Sequence, residues 1–371
     1  MVRKPRILFF TPTAGRTGSE MMLLHLLSRV DLDRFDIGLV SFANGELLNK
    51  FPARIRIFVA PSKYTLVQKV FKTLGMNPTL RYLRKVAREF DADVWYVNTT
   101  MLPETIILAK EFSTKVITHF HELPLTYSYL TASDFRRVID YSSLTIGCSL
   151  ATCKAIADAG GKNVALLYEF IDSSRMDFSP EKSASIRQNL GIPADAFVWI
   201  CSGMTSERKG FDLIPDIAAT LNDTNVHLIW VGQRINDGLV YYTETRIANS
   251  TSRTTIHLVG KQAENYFAYL GCGDGFLLTS RQDPFPLVML EAAHLGKPIA
   301  SFPSGGVSEF VKEGMGAVTD DISVMQLVDS MKKIMCKQIH TDPLISVARA
   351  KRFNVENAYR DWLELINNII E

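Results

Sequence analysis

Asp283 and Glu291 stand on either side of a helix start in SRQDPFPLVMLEAAHLGKPIA, residues 280–300. The strand-like GFLLTS gives way to the turn RQDPFP, and Pro286 suits the first turn of a helix that runs to Gly296. The first backbone N–H groups of a helix have no internal partner, so those near Phe285, Pro286, Leu287 and Val288 define an anion site, best filled by a diphosphate. Glu291 falls about 6 Å further in, at roughly 1.5 Å rise per residue. A carboxylate there cannot hold phosphate, but it can accept hydrogen bonds from a ribose diol beside one. Asp283, on the other side, can hold hydroxyls of a sugar on the far phosphate. The plain alternative is a helix-start Asp favoured by the dipole and a solvated Glu. Against it, Glu291 interrupts an apolar run, PLVMLEAAHLG, where a charge is costly unless paired.

SERKG (206–210) adds cations between a strand end and a helix start. Arg208 and Lys209 can stabilise the negative charge that builds on a departing diphosphate. The alternative is a surface pair, which the positive end of a helix disfavours. TGSE (17–20) puts Gly18 and Ser19 at the start of the first helix. Glycine there lets backbone approach a ligand, or Ser19 simply caps the helix. HFHE (119–122) ends a strand, with His119 and His121 on one face. No further His or Cys cluster supports a metal site, so none is expected. GCGDGF (271–276) resembles a dinucleotide fingerprint only superficially, because it follows a helix and precedes a strand. Ser304–Gly306 is read as structural.

The elements that must position these groups alternate along the chain. Strands are expected at 6–13, 35–42, 54–60, 93–99, 115–122, 143–149 and 164–172, with helices at 18–30, 77–90, 103–112 and 150–160. After a polar stretch, 173–196, the pattern restarts with strands at 197–203, 226–232, 255–260, 274–280 and 297–302 and a helix at 210–221. This is the signature of parallel sheets covered on both faces by helices. The expected organisation is α/β: two Rossmann-like, doubly wound domains, 1–172 and 173–353, facing a cleft, with an amphipathic terminal helix in 354–371. Ligands of such sheets sit beyond the carboxyl ends of the strands.

Composition narrows the function. In 371 residues, 41 Lys and Arg balance 39 Asp and Glu for a net charge of +2, which argues against a nucleic-acid surface. RYLRKVAR (81–88) reads as a solvated helix face, with weak contact to anionic lipid as the alternative. The five cysteines form no C-x-x-C pair and read as buried thiols of a reduced, cytoplasmic protein. The apolar run after MVRKPR is too short for a signal segment, and no run reaches membrane-spanning length.

The acid-x7-Glu segment followed by AAHLGKPIA resembles retaining glycosyltransferases of family 4, which have the GT-B fold. Here Asp283 replaces the first Glu. SGMTSERKGFDLI (202–214), WVG (230–232), HLVGK (257–261), TGSE and the terminal FNVENAYRDWLELI extend the resemblance over most of the chain. It implies that Gly18, Ser19, Gly203, Arg208, Lys209, Gly232, Lys261, Asp283, Phe285, Pro286, Leu287 and Glu291 line a nucleotide-sugar site. His121, Arg208, Lys209 and Asp283 would serve catalysis, His121 lying against a primary hydroxyl of the donor sugar. The family Arg that follows the strand glycine is Met204 here, and Arg208 is expected to replace it. The resemblance further implies a UDP-sugar donor, a glycan or lipid-linked acceptor, no metal or other cofactor, and a terminal helix that crosses back to the N-terminal domain. The alternatives are a nucleotide-sugar epimerase of the same architecture and a two-lobed ligand-binding protein.

Overall fold

The computed structural model describes residues 3–61 and 77–371. The chain forms two compact units, residues 1–170 with 355–371, and residues 171–354. The first holds a seven-stranded sheet in the order β3-β2-β1-β4-β5-β6-β7. Its strands are β1 (Arg6–Thr11), β2 (Asp36–Ser41), β3 (Arg56–Val59), β4 (Val94–Val97), β5 (Lys115–Phe120), β6 (Leu144–Gly147) and β7 (Val164–Leu166). The second holds a six-stranded sheet in the order β10-β9-β8-β11-β12-β13. Its strands are β8 (Phe197–Ser202), β9 (Val226–Val231), β10 (Thr255–Gly260), β11 (Gly275–Leu278), β12 (Ile299–Ser301) and β13 (Gly316–Val318). Every pairing is parallel.

Parallel strands are buried on both faces, which explains why β1 reads as an unbroken apolar run. Ile7 and Phe9 enter one core layer, Leu8 and Phe10 the other, and all four are fully buried. Helix Val355–Ile370 completes the first layer with Val355, Ala358, Trp362 and Ile366, a three- and four-residue spacing that makes one apolar stripe. The Trp362 ring stacks on Phe9 at 6.3 Å and meets Phe35 edge-on at 6.1 Å.

Most expected strands are present but shorter at their carboxyl ends. The strand expected at 115–122 stops at Phe120, and that at 164–172 stops at Leu166. Their last residues leave the ladder to build the polar clusters described below. The helix expected at 210–221 is a 3-10 turn (Phe211–Leu213) followed by helix Ile214–Leu221. β13 and the helices Ala132–Tyr141, Gly238–Ala248, Val324–Met335 and Pro343–Ala350 were not expected. Among the cysteines, all free, Cys148, Cys201 and Cys272 are buried, whereas Cys336 is exposed, against the reading of five buried thiols. Within 81–88, Arg84 is held by both oxygens of Glu111 (2.8 and 2.7 Å).

Candidate functional site

In each unit the strand order reverses at one place, leaving a crevice at the carboxyl ends of two adjacent strands. In the second unit these strands are β8 and β11. The turn 206–210 follows β8, and residues 279–291 follow β11, so the fold places Arg208, Lys209, Asp283 and Glu291 at the same end of the sheet.

The two segments are stapled by backbone. Arg281 N–H donates to the Arg208 carbonyl (2.9 Å), and Thr279 Oγ1 donates to that of Lys209 (2.7 Å). Arg281 also grips both oxygens of Asp212 at 2.7 Å. Gly210 makes the close approach feasible: its φ is +72°, and a Cβ would lie 2.1 Å from the Thr279 oxygen. Gly232 is structural in the same sense, since a Cβ there would lie 1.9 Å from the Gly203 oxygen. That oxygen accepts from Trp230 Nε1 at 2.9 Å.

Lys209 Nζ donates to Asp283 Oδ2, which Ser280 Oγ also approaches at 3.3 Å. Arg208 Nη1 lies 3.9 Å from the same oxygen and donates to the Gln282 carbonyl at 3.0 Å. Burial alone would raise the Asp283 carboxyl pKa. The charges of Lys209 and Arg208 outweigh it, with the hydrogen bonds from Lys209 and Ser280, and hold the group below the ordinary carboxylate value. The acid and the cations, expected as separate ligand contacts, therefore form one cluster around the buried Asp283. Asp283 Oδ1 accepts no protein hydrogen bond among the described residues. Asp283 is braced by segment 304–306: its N–H donates to Ser304 O at 2.5 Å, and Gly306 N–H donates to Pro284 O at 2.9 Å.

Helix Leu287–His294 begins at Pro286, which offers no side-chain cap to the first-turn N–H groups. Phe285 packs against Phe353 and Phe310, with centroids at 5.3 and 6.1 Å, so only its backbone can serve a ligand. Glu291 is half-buried and accepts from Tyr266 Oη at 2.9 Å, and Ser202 Oγ lies 3.2 Å from the same phenol. Burial first, then the Glu291 charge, push the Tyr266 pKa far up, so the phenol stays a donor. Lys261 lies apart, exposed beyond β10, an edge strand two places from β8.

The first unit reverses at β1 and β4. Gly18 is exposed and Ser19 half-buried at the start of helix Gly18–Leu27. The Ser19 carbonyl accepts from Asn98 Nδ2 at 3.1 Å. Asn98 Oδ1 faces His121 Nε2 at 3.0 Å, and His121 Nδ1 meets Glu169 Oε1 at 2.5 Å. With both ring nitrogens engaged and the side chain 5% exposed, His121 has no nitrogen left for a sugar hydroxyl in this arrangement. The expected contact with a donor hydroxyl would require one of these two bonds to be exchanged. Burial would lower the His121 pKa, but the Glu169 charge and hydrogen bond, with Glu122 and Glu20, raise it above the ordinary histidine value. His119, whose ring is tilted against it at 4.0 Å between centroids, is held well below that value, by burial and then by His121. Glu20 is buried and its pKa raised, chiefly by burial, although Ser19 Oγ donates to it at 2.9 Å. Glu122 ties β4 to β5, accepting from Thr99 Oγ1, from Thr100 N–H at 3.3 Å and from its neighbour His121 N–H at 3.0 Å.

Tyr266, Asn98, Glu169 and Glu20 were missed as candidate functional residues. Glu169 carried a usable signal: like Glu291, it breaks an apolar run, VALLYEFI.

Two parallel, doubly wound units of this kind define the GT-B class, and solved structures agree. Anabaena Alr3699/HepE, in complex with UDP and glucose, superposes with a TM-score of 0.82 at 22% identity, over 98% of this chain and 100% of that one. Sucrose-phosphate synthase from Thermosynechococcus elongatus gives 0.79 at 15% identity, over 99% of each. Residues 182–351 match the model of the family described as glycosyl transferases group 1. Among curated relatives, the sulfoquinovosyl transferase SQD2 of Arabidopsis thaliana is 25% identical over 263 residues, 66% of this chain and 49% of its own. The lipopolysaccharide core biosynthesis glycosyltransferase LpsE of Rhizobium meliloti is 27% identical over 136 residues, 37% of this chain and 38% of its own. The chain spans about half the length, or less, of the curated relatives it matches. Among the described residues no helix is long and apolar enough to cross a membrane.

Proposed function

We propose that the protein is a retaining glycosyltransferase that moves a sugar from a UDP-sugar to a hydroxyl of a glycan or lipid-linked acceptor. One observation carries this: Lys209, Arg208 and the uncapped start of helix Leu287–His294 converge with Asp283 and the Tyr266-held Glu291 at one switch point. The cations and amide dipoles suit a diphosphate. Glu291 suits the ribose diol, and Asp283 Oδ1 a hydroxyl of the transferred sugar. The choice of UDP is supported by the HepE complex with UDP and glucose. An envelope or exopolysaccharide acceptor is supported by the name of LpsE, and such an acceptor fits work in the cytoplasm at the inner face of a membrane. The second unit binds the donor and the first presents the acceptor.

In the reaction the bond from the anomeric carbon to the diphosphate oxygen breaks, and its electron pair leaves with UDP. The acceptor oxygen forms its bond on the same face and gives its proton to the departing phosphate. No protein base is required, and the two basic side chains supply positive charge that a divalent ion would otherwise bring, so turnover is metal-independent.

Thermal-shift measurements against UDP-, GDP- and ADP-sugars test the donor assignment. Stabilisation by the UDP class, lost in Glu291→Ala, is expected. An intact shift in that variant removes Glu291 from the ribose, and no shift with any donor overturns the assignment. Product anomers followed by NMR with and without EDTA decide retention and metal independence.

A further inference from the structure

The hydrogen-bonded chain Ser19–Asn98–His121–Glu169 joins four segments that are remote in sequence, and donor binding in the second unit does not account for it. Its hydrogen bonds have a fixed polarity. The Ser19 carbonyl can only accept, so the nitrogen of the Asn98 amide faces it and the amide oxygen faces His121. His121 Nε2 must then carry hydrogen. At Nδ1 a second proton lies between imidazole and the Glu169 carboxylate. The pair thus holds two protons and no net charge. Removing one would leave a net negative charge in a buried place already faced by Glu20 from the first helix and Glu122 beyond β5. His119 on β5, Tyr96 on β4, Tyr127, and Cys148 after β6, whose sulfur lies within 4.8 Å of the pair, complete the titratable surroundings.

We propose that Glu169, His121 and Asn98 are positioning residues: a proton-loaded relay that sets the Ser19 carbonyl, and with it the entrance of helix Gly18–Leu27. In this arrangement His121 acts neither as a base nor as a sugar ligand. Its ring transmits the position of Glu169 to the backbone that meets substrate, as outer-sphere partners orient the groups they hold. The proposal rests on the transferase reading, in which Gly18 and Ser19 approach the substrate.

The experiment uses the full chain, with 15N-labelled histidine for NMR and a pH–rate profile. At neutral pH the His121 ring should show both nitrogens protonated. Glu169→Gln should bring the high-pH loss of activity to lower pH, because the carboxylate that retains the proton is gone. Asn98→Asp keeps an acceptor for His121 but cannot donate to Ser19. It should leave the ring doubly protonated while kcat falls about 10- to 100-fold and the donor-induced thermal shift persists. A singly protonated His121 in the unmodified protein overturns the relay, as does an unchanged pH profile in a folded Glu169→Gln variant. Absence of turnover with every donor would defeat the transferase reading instead, and the ring signals would still decide the relay.

Discussion

The ammonium of Lys209 faces two partners in turn: Asp283 in the structure and, in the proposed reaction, a diphosphate. Replacing it separates the two roles. Lys209→Met leaves the buried Asp283 carboxylate with only the more distant Arg208 as counter-ion, which should cost about 3 kcal/mol of stability. It should also lower turnover about 10²-fold through loss of a charge stabiliser. Adding Asp283→Asn should restore the urea midpoint but not turnover. Unchanged turnover in Lys209→Met itself would show that Lys209 merely props up Asp283. At this scale the sequence was partly legible. Asp283, Glu291, Arg208 and Lys209 stood out because a helix start makes chemical demands on its neighbours. Tyr266, Asn98 and Glu169 did not, because their partners lie 25, 79 and 48 positions away and no local pattern announces such pairs.

Among elements, the turn 206–210 is the one whose geometry decides the site, since it carries both cations onto the segment after β11. Its hinge point is Gly210, left-handed and in contact with the Thr279 carbonyl. Gly210→Ala should lower the unfolding free energy by about 1–3 kcal/mol, read from urea titration, and reduce turnover with it. An unchanged midpoint would mean that the two segments separate without penalty. The strands were readable because parallel sheets demand continuous apolar runs. Their carboxyl ends were overrun because His121 and Asp172 continue the alternation without joining a ladder. Helix Gly238–Ala248 escaped notice because Tyr241 and Tyr242, both exposed, blur the apolar stripe that marks a helix. β13 is three residues long, too short to show a period.

The molecule as a whole should be acid-sensitive. His119, His227, His257 and His294 are all held below the ordinary histidine value, burial being the first cause in each. Their neutral forms belong to the folded state, so the unfolded chain takes up protons first. The stability they contribute is complete above about pH 6.5 and falls as pH drops below it. His121 works in the opposite sense: its raised value gives stability below that pH, lost as pH rises through the raised value. Urea midpoints at about pH 7.5 and 5.5 should show the acid side weaker, and a stronger acid side would mean that His121 dominates.

Helix Val355–Ile370 adds a constraint in time. Residues 171–354 are contiguous and can complete their core as soon as they are synthesised. The earlier-made 1–170 segment must wait with Phe9 and Phe35 uncovered until Trp362 emerges. The half that leaves the ribosome first is therefore finished last, and during that interval its exposed aromatic face is the stretch most in need of chaperone protection.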